Sequence, residues 1–298
     1  MREAVTAVFL QYDQTELDRQ YDQRVWAPNA AELICRYTEN SDRARRLLGE
    51  PKVFTYGSSV PETLDLYASG TPNAPIHVFI HGGAWHLLGK RNSAFAAEAF
   101  VRAGAHFVAL DFALLPAVSL SEMVAQVRRG VGWIYENARR FGGDPDRIHI
   151  SGHSSGGHLA ACIAVTDWQS LFGLPREVVK STVCASGIYD LAPVRLSARN
   201  DYVKLDAESE LALSPIRHLR HLAAPVFVAH GALESDEFKR QSRDFAAALG
   251  PDRLAAPPIE IAGLNHFEVA EALADPQQDL CKAALTLMGL REPSAPSG

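Results

Sequence analysis

A serine hydroxyl becomes a useful nucleophile only where a base removes its proton and the backbone presents it to a substrate. Gly152-His153-Ser154-Ser155-Gly156 has the second property in its spacing: it follows the apolar run Ile148 to Ile150 and opens a small-residue stretch from Gly157. A G-x-S-x-G pentapeptide between a strand and a helix makes a sharp turn that strains the serine backbone. Side chains two residues to either side would collide there. The turn lifts the Ser154 hydroxyl above a sheet and aims the following helix N-terminus, with the free N–H of Ser155, where an oxyanion would form. The chemistry is acyl transfer. A glycine-rich turn with an incidental serine is the bland alternative, and the flanking strand and helix weigh against it.

His81-Gly82-Gly83-Ala84-Trp85 follows a second apolar run, Ile76 to Ile80. Glycines there let the backbone approach a substrate and turn its N–H groups inward. The motif is similar to the HGGG loop that completes the oxyanion hole of many esterases. Gly83 and Ala84 are then the expected donors beside Ser155, Gly82 shapes the turn, and His81 bonds the loop as a structural residue.

Base and acid must come from downstream, because elbows of this kind are followed in chain order by an acid and then a histidine. His158 falls one turn into the helix after the serine, and His218 and His221 lie in a polar helical stretch. His230 ends the run Val226 to Ala229 as a pocket-wall candidate. His266 follows the strand Ile259 to Ile261 and the loop Gly263-Leu264-Asn265, which is the final position the order requires. Glu234, Asp236 and Glu237 all follow Val226 to Ala229. Asp236 and Glu237 would open a helix, where acidic residues are explained by its dipole. Glu234 is therefore the expected acid, with Asp236 as the alternative.

These residues need a scaffold. Leu64 to Ala68, Ile76 to Ile80, Phe107 to Leu110, Ile148 to Ile150, Val183 to Ala185 and Val226 to Ala229 read as short strands, several apolar throughout as strands covered on both faces should be. Between them, Leu120, Met123, Val124, Val127, Val131 and Ile134 form one apolar stripe at helical period. Ser119 and Glu122 are spaced as a capping box, and Gly142-Gly143-Asp144-Pro145 is the expected stop. Alternating strands and helices predict an α/β fold with a mostly parallel sheet and helices on both faces. Residues 1–291 read as one domain with a small helical N-terminal cap over 1–50, in which Pro28-Asn29 opens a helix. A polar cap insertion over 190–214 is expected along one sheet edge, and residues 292–298 read as a disordered tail.

Composition narrows the function. The 298 residues are 47% hydrophobic and 21% charged with a net charge of −6, a soluble globular balance with no basic stripe for nucleic acid or anionic membrane. No run is long enough to cross a membrane, and Ala4 to Leu10 lacks a cleavage site, so it reads as part of the mature protein. Cys35, Cys162, Cys184 and Cys281 form no CxxC pair and are expected as buried free thiols in a reducing cytoplasm. No phosphate loop, HExxH or dinucleotide fingerprint occurs, and His81 with His86 makes a poor metal pair. No cofactor is expected.

Taken together the motifs resemble an α/β-hydrolase of the hormone-sensitive-lipase-like branch, and within it the kynurenine formamidase (arylformamidase) group. His81 to Trp85 is similar to that group's HGGxW loop, Gly152 to Leu159 to its nucleophile segment, and Gly263 to Phe267 to its histidine loop. Glu234 to Ser242 resembles its acid-bearing segment, with the acid four residues before Phe238. Leu17 to Trp26, around Tyr21, looks like its opening helix. Eukaryotic members usually place Asp where this chain has Glu234. The resemblance implies Trp85 and the Ser186-Gly187-Ile188-Tyr189 loop as pocket walls, with Trp85 and Tyr189 binding substrate. It also implies a cytoplasmic serine hydrolase for an N-formyl or N-acyl arylamine, with N-formylkynurenine and tryptophan catabolism foremost. A short-chain carboxylesterase is the alternative and a non-catalytic ligand binder the least favoured reading. The expected partner is a small-molecule amide or ester, with a homodimer left open.

Overall fold

The structure is a computed structural model that describes residues 6–291. Eight strands form one sheet in the order β1-β2-β4-β3-β5-β6-β7-β8. They are β1 (Lys52–Thr55), β2 (Thr63–Tyr67), β3 (Ala74–Ile80), β4 (His106–Leu110), β5 (Gly143–His153), β6 (Ser181–Ala185), β7 (Val226–Gly231) and β8 (Ile259–Ile261). The pairs β1-β2 and β2-β4 are antiparallel and every other pair is parallel. Twelve α-helices are described: α1 (Gln14–Tyr21), α2 (Ala30–Leu48), α3 (Ala97–Arg102), α4 (Leu120–Asn137), α5 (Ser155–Ala164), α6 (Trp168–Phe172), α7 (Ala192–Leu196), α8 (Asn200–Val203), α9 (Ala207–Leu213), α10 (Asp236–Leu249), α11 (His266–Glu271) and α12 (Asp279–Leu287).

Side-chain alternation along the strands divides the core into two layers. Ile76, Val78 and Ile80 of β3 pack with Val108 and Leu110 of β4 against α1, α4, α5 and α10. Phe79 of β3, with Phe107 and Ala109 of β4, faces α2, α3, α11 and α12. The α4 stripe is buried at all six expected positions. Each such side chain removed from water contributes on the order of 1.5–3 kcal/mol.

Four details differ from expectation. The exposed edge strand β1 carries almost no buried side chain, so its sequence has no burial alternation to read. Strand β5 begins at Gly143, not near Ile148; its pairing with β3 shifts between Ala74 and Ile76, and the irregular stretch holds Pro145, which has no N–H to give a ladder. The Ser119 hydroxyl accepts the Glu122 N–H at 3.1 Å, but the Glu122 carboxylate turns to Arg129, leaving half a capping box. Residues 190–214 form α7, α8 and α9; α7 packs against α1 and holds α8 and α9, and the segment lies over the carboxyl ends of the strands instead of along an edge.

Cys162, Cys184 and Cys281 are buried, whereas Cys35 is exposed on α2. The tail expected over 292–298 lies outside the described residues. Among the described residues no helix is long and apolar enough to cross a membrane.

Among the described histidines buried within or beside the sheet and in no ion pair with a carboxylate, four are held far from the ordinary imidazole value. His77 and His149 hydrogen-bond the Ser151 and Ser181 hydroxyls at 2.7 Å each, and His158 sits on α5. His153 precedes the elbow serine. Burial holds His77 well below the ordinary imidazole value and pushes His149 and His158 down to about 4 and His153 to about 3. All four are neutral when folded, while the unfolded chain takes up protons near pH 6.5. Stability is therefore full above that pH and falls as pH drops toward 4, by as much as about 1.4 kcal/mol per pH unit for each histidine. Urea unfolding at pH 7, 6 and 5 should show the loss; equal free energies at the three would refute it.

Candidate active site

Strand β5 runs straight into Ser154, whose backbone sits at φ 59° and ψ −126° before α5 starts at Ser155. The flanking glycines leave no room for any other residue. A Cβ on Gly152 would lie 2.1 Å from the Gly156 carbonyl oxygen, and one on Gly156 would lie 2.1 Å from the Ile80 carbonyl oxygen. The Ser154 N–H donates to Ala185 of β6 at 3.0 Å, fixing the turn against the sheet. Strain of this kind is held by its surroundings.

His266 reaches the serine from the first turn of α11, with Nε2 2.9 Å from Ser154 Oγ. Its placement follows from a complete capping box at Asn265 and Glu268: the Asn265 side chain accepts the Phe267 and Glu268 N–H groups, and Glu268 accepts the Asn265 N–H at 2.9 Å. Asn265 also donates to Asn29, the residue just before α2, at 3.0 Å. The imidazole lies edge-to-face against Phe238 and Phe267 and near the His153 ring. His153 donates through Nε2 to the His266 carbonyl at 2.7 Å, which fixes the His153 tautomer.

Glu234 lies in the loop after β7 and is 2% exposed. Its Oε1 accepts the Gly231 N–H at 2.8 Å and the Ser186 hydroxyl. Its Oε2 faces His266 Nδ1 at 3.3 Å, and neither of those two atoms has a hydrogen-bond partner elsewhere among the described residues. Burial works to raise the carboxyl pKa, but His266 and the hydrogen bonds from Ser186 and Gly231 outweigh it and hold Glu234 below its ordinary value. The alternative acid is elsewhere: Asp236, 69% exposed at its side chain, pairs with Lys239 at 3.0 Å in the first turn of α10. Glu237 pairs with Arg240 at 2.7 Å and accepts the Tyr21 hydroxyl at 3.0 Å.

The loop after β3 presents Gly82, Gly83 and Ala84 to the same cavity as Ser154. A Cβ on Gly82 would stand 2.8 Å from the His153 carbonyl oxygen, so the backbone passes directly beside the elbow. Gly83, Ala84 and Trp85 all have positive φ, at 103°, 51° and 64°. That run of left-handed turns sends the Trp85 indole inward, where its Nε1–H donates to His158 at 3.2 Å. The Trp85 N–H donates to the Ser155 hydroxyl at 3.1 Å, tying loop and elbow together. His81 donates through Nδ1 to the Gly82 carbonyl at 2.9 Å and stacks on Phe112, while His86 stacks on Tyr202.

The expected pocket walls are corrected by this packing. Trp85 is 1% exposed and lies behind the loop, not on the cavity surface. Tyr189 is fully buried, stacked on Phe245 with its hydroxyl taking the Gly187 N–H at 3.1 Å. His230 is buried too and contacts Glu260 at 3.2 Å. The cavity, about 470 Å³, is walled instead by Tyr21 and Tyr37 from the N-terminal helices, Phe79, Phe95, Tyr202 and Arg199. Sequence reasoning missed these because distant segments bring them together. It also missed the Gln23 side chain, which donates to the Ser235 hydroxyl at 2.8 Å and accepts the Ser235 N–H at 3.3 Å beside Glu234. The opening-helix likeness around Tyr21 was the signal available.

A hydroxyl, an imidazole and a buried carboxylate in series, beside a loop of inward-turned peptides, can run serine-based acyl transfer. Known proteins agree with that geometry. Residues 64–249 match the BD-FAE family. The kynurenine formamidase of Danio rerio is 32% identical over 287 residues, covering 92% of this chain and 96% of that protein. Esterase LipQ of Mycobacterium tuberculosis is 32% identical over 193 residues, covering 59% of this chain and 46% of LipQ. The crystal structure of a candidate thioesterase from Silicibacter sp. TM1040 matches at TM-score 0.80 and 28% identity, covering 90% of this chain and 98% of that one. With the mostly parallel sheet, the elbow between β5 and α5 and a likeness running through nearly its whole length, the chain belongs to the BD-FAE family and to the kynurenine formamidase group of the α/β-hydrolases.

Proposed function

We propose that this chain is an arylformamidase that hydrolyses N-formylkynurenine or a closely related N-formyl or N-acyl arylamine through an acyl-enzyme. The observation that carries the reading is the Ser154–His266–Glu234 series opening into an aromatic-walled cavity of about 470 Å³, within the size range of small-molecule sites. Ser154 Oγ attacks the formyl carbon as His266 Nε2 takes its proton, and Glu234 stabilises the imidazolium. The N–H groups of Gly83, Ala84 and Ser155 hold the oxyanion, with Gly82 shaping the turn; one such donor is worth about 3–4 kcal/mol of barrier. His266 then protonates the departing aniline nitrogen, the C–N bond breaks, and Ser154 carries the formyl ester. Water, deprotonated by His266, releases formate and regenerates the hydroxyl. Of the expected N-terminal cap the described residues 6–50, together with 190–214, act as the two caps of a single domain, since both supply walls to the cavity.

The likeness to esterase LipQ favours a second reading, a carboxylesterase with the same relay and a different leaving group. The two are separated by kcat/KM for N-formylkynurenine beside 4-nitrophenyl acetate and butyrate. The formamidase reading expects the formamide to exceed about 10⁴ M⁻¹s⁻¹ and to be preferred. Ester turnover with negligible formamide cleavage would replace it with the esterase reading.

A further inference from the structure

Arg199 is held in an unusual setting at the start of α8. Its guanidinium carbon lies 5.4 Å from the Tyr21 ring centroid, 5.8 Å from that of Phe238 and 6.0 Å from that of Trp85. Nη2 donates to the Tyr21 carbonyl, while Nη1 is buried with no acceptor. No carboxylate among the described residues forms an ion pair with it. The neighbouring charges on the cavity wall are already committed. Arg24 pairs with Asp22 at 2.8 Å, and Asp18 accepts the Gln14 amide and the Ala198 N–H. His86 adds no second cation, because burial and then the Arg199 and Arg24 charges hold its pKa below the ordinary value.

A guanidinium with spare donors beside aromatic faces, in the same cavity as Ser154, lacks one thing: a planar anion to accept those donors. Leaving buried donors of a charged group unpaired is costly, and a ligand that completes them gains that difference on binding. We propose that Arg199 is a substrate-specificity residue that receives a carboxylate borne by the leaving group of the substrate, so the cavity selects arylamides carrying an α-amino-acid or similar acidic head over neutral ones. The inference rests on the formamidase reading and sharpens it.

The test measures a ratio. N-formylkynurenine and N-formyl-2-aminoacetophenone share the reacting formanilide, and only the first carries the amino-acid head. In the parent protein kcat/KM should favour N-formylkynurenine. In Arg199→Gln that preference should shrink by on the order of tenfold to a hundredfold, through KM, with partial recovery in Arg199→Lys. Equal losses for both substrates would make Arg199 a packing residue of the cap and overturn the proposal, as would an unchanged ratio. Should the protein cleave neither formamide, the formamidase reading fails by itself. The Arg199 proposal is then read from inhibition of 4-nitrophenyl acetate hydrolysis by L-kynurenine against 2-aminoacetophenone. A kynurenine preference lost in Arg199→Gln supports it, and no preference overturns it.

Discussion

A Ser154→Ala protein is expected to fold like the parent and to lose on the order of 10⁵-fold or more in kcat on every substrate the parent hydrolyses. Alanine keeps the Cβ already accommodated at φ 59°, so the substitution adds no backbone strain and removes only the oxygen that lies 2.9 Å from His266 Nε2. Whatever rate remains over water comes from binding and the oxyanion donors, which the change leaves in place. Circular dichroism and urea midpoint check the fold, and labelling by a fluorophosphonate, positive in the parent and absent in the variant, checks the nucleophile. Retention of even a tenth of the parent kcat would remove Ser154 from the mechanism.

The second large effect separates two carboxylates. Glu234→Gln should lower kcat by about 10⁴-fold, whereas Asp236→Asn should change it less than about threefold. The reason lies in the donors around Glu234. Its Oε1 is met by the Gly231 N–H and the Ser186 hydroxyl, so a glutamine must place its amide oxygen there. The amide nitrogen then faces His266 Nδ1, where two donors cannot meet, and the imidazole shifts its proton to Nε2. In that tautomer it cannot accept the Ser154 proton. Asp236 has only solvent and Lys239 to lose. Steady-state kcat for the two variants side by side decides the matter, and equal effects would refute the assignment.

How far the sequence could be read depended on whether the information was local. Strands β3 to β7 were legible because burial on both faces leaves apolar runs that few other structures produce. The elbow was legible because two glycines are dictated by carbonyl oxygens about 2 Å from where a Cβ would stand, a constraint confined to five residues. Chain order pointed to His266 and narrowed the acid to Glu234, Asp236 and Glu237, of which the helix dipole favoured Glu234; the capping box at Asn265 is visible in retrospect as Asn265-His266-Phe267-Glu268. Strand β1 was not legible, since an exposed edge strand carries no pattern. Trp85 and Tyr189 misled for a physical reason: a large aromatic beside an active loop packs equally well into a core or a cavity, and the left-handed backbone at Trp85 chose the core. Arg199 and Tyr21 are 178 residues apart in sequence, and only tertiary packing brings them to one wall.

Tyr21 and Gln23 do two jobs, since both line the cavity while Tyr21 bonds Glu237 and Gln23 brackets Ser235 next to Glu234. Mutational paths toward new substrates are therefore epistatic at these two positions: a change there disturbs the acid-bearing segment along with the shape of the wall. Ile34 and Leu88 touch the cavity without such links to the acid loop, so diversity introduced at those positions alters selectivity first and leaves the rate of bond breaking to follow from fit. A lineage drifting from amides to esters would find its accessible steps on α2 and the loop after β3, and its constrained ones at Tyr21 and Gln23.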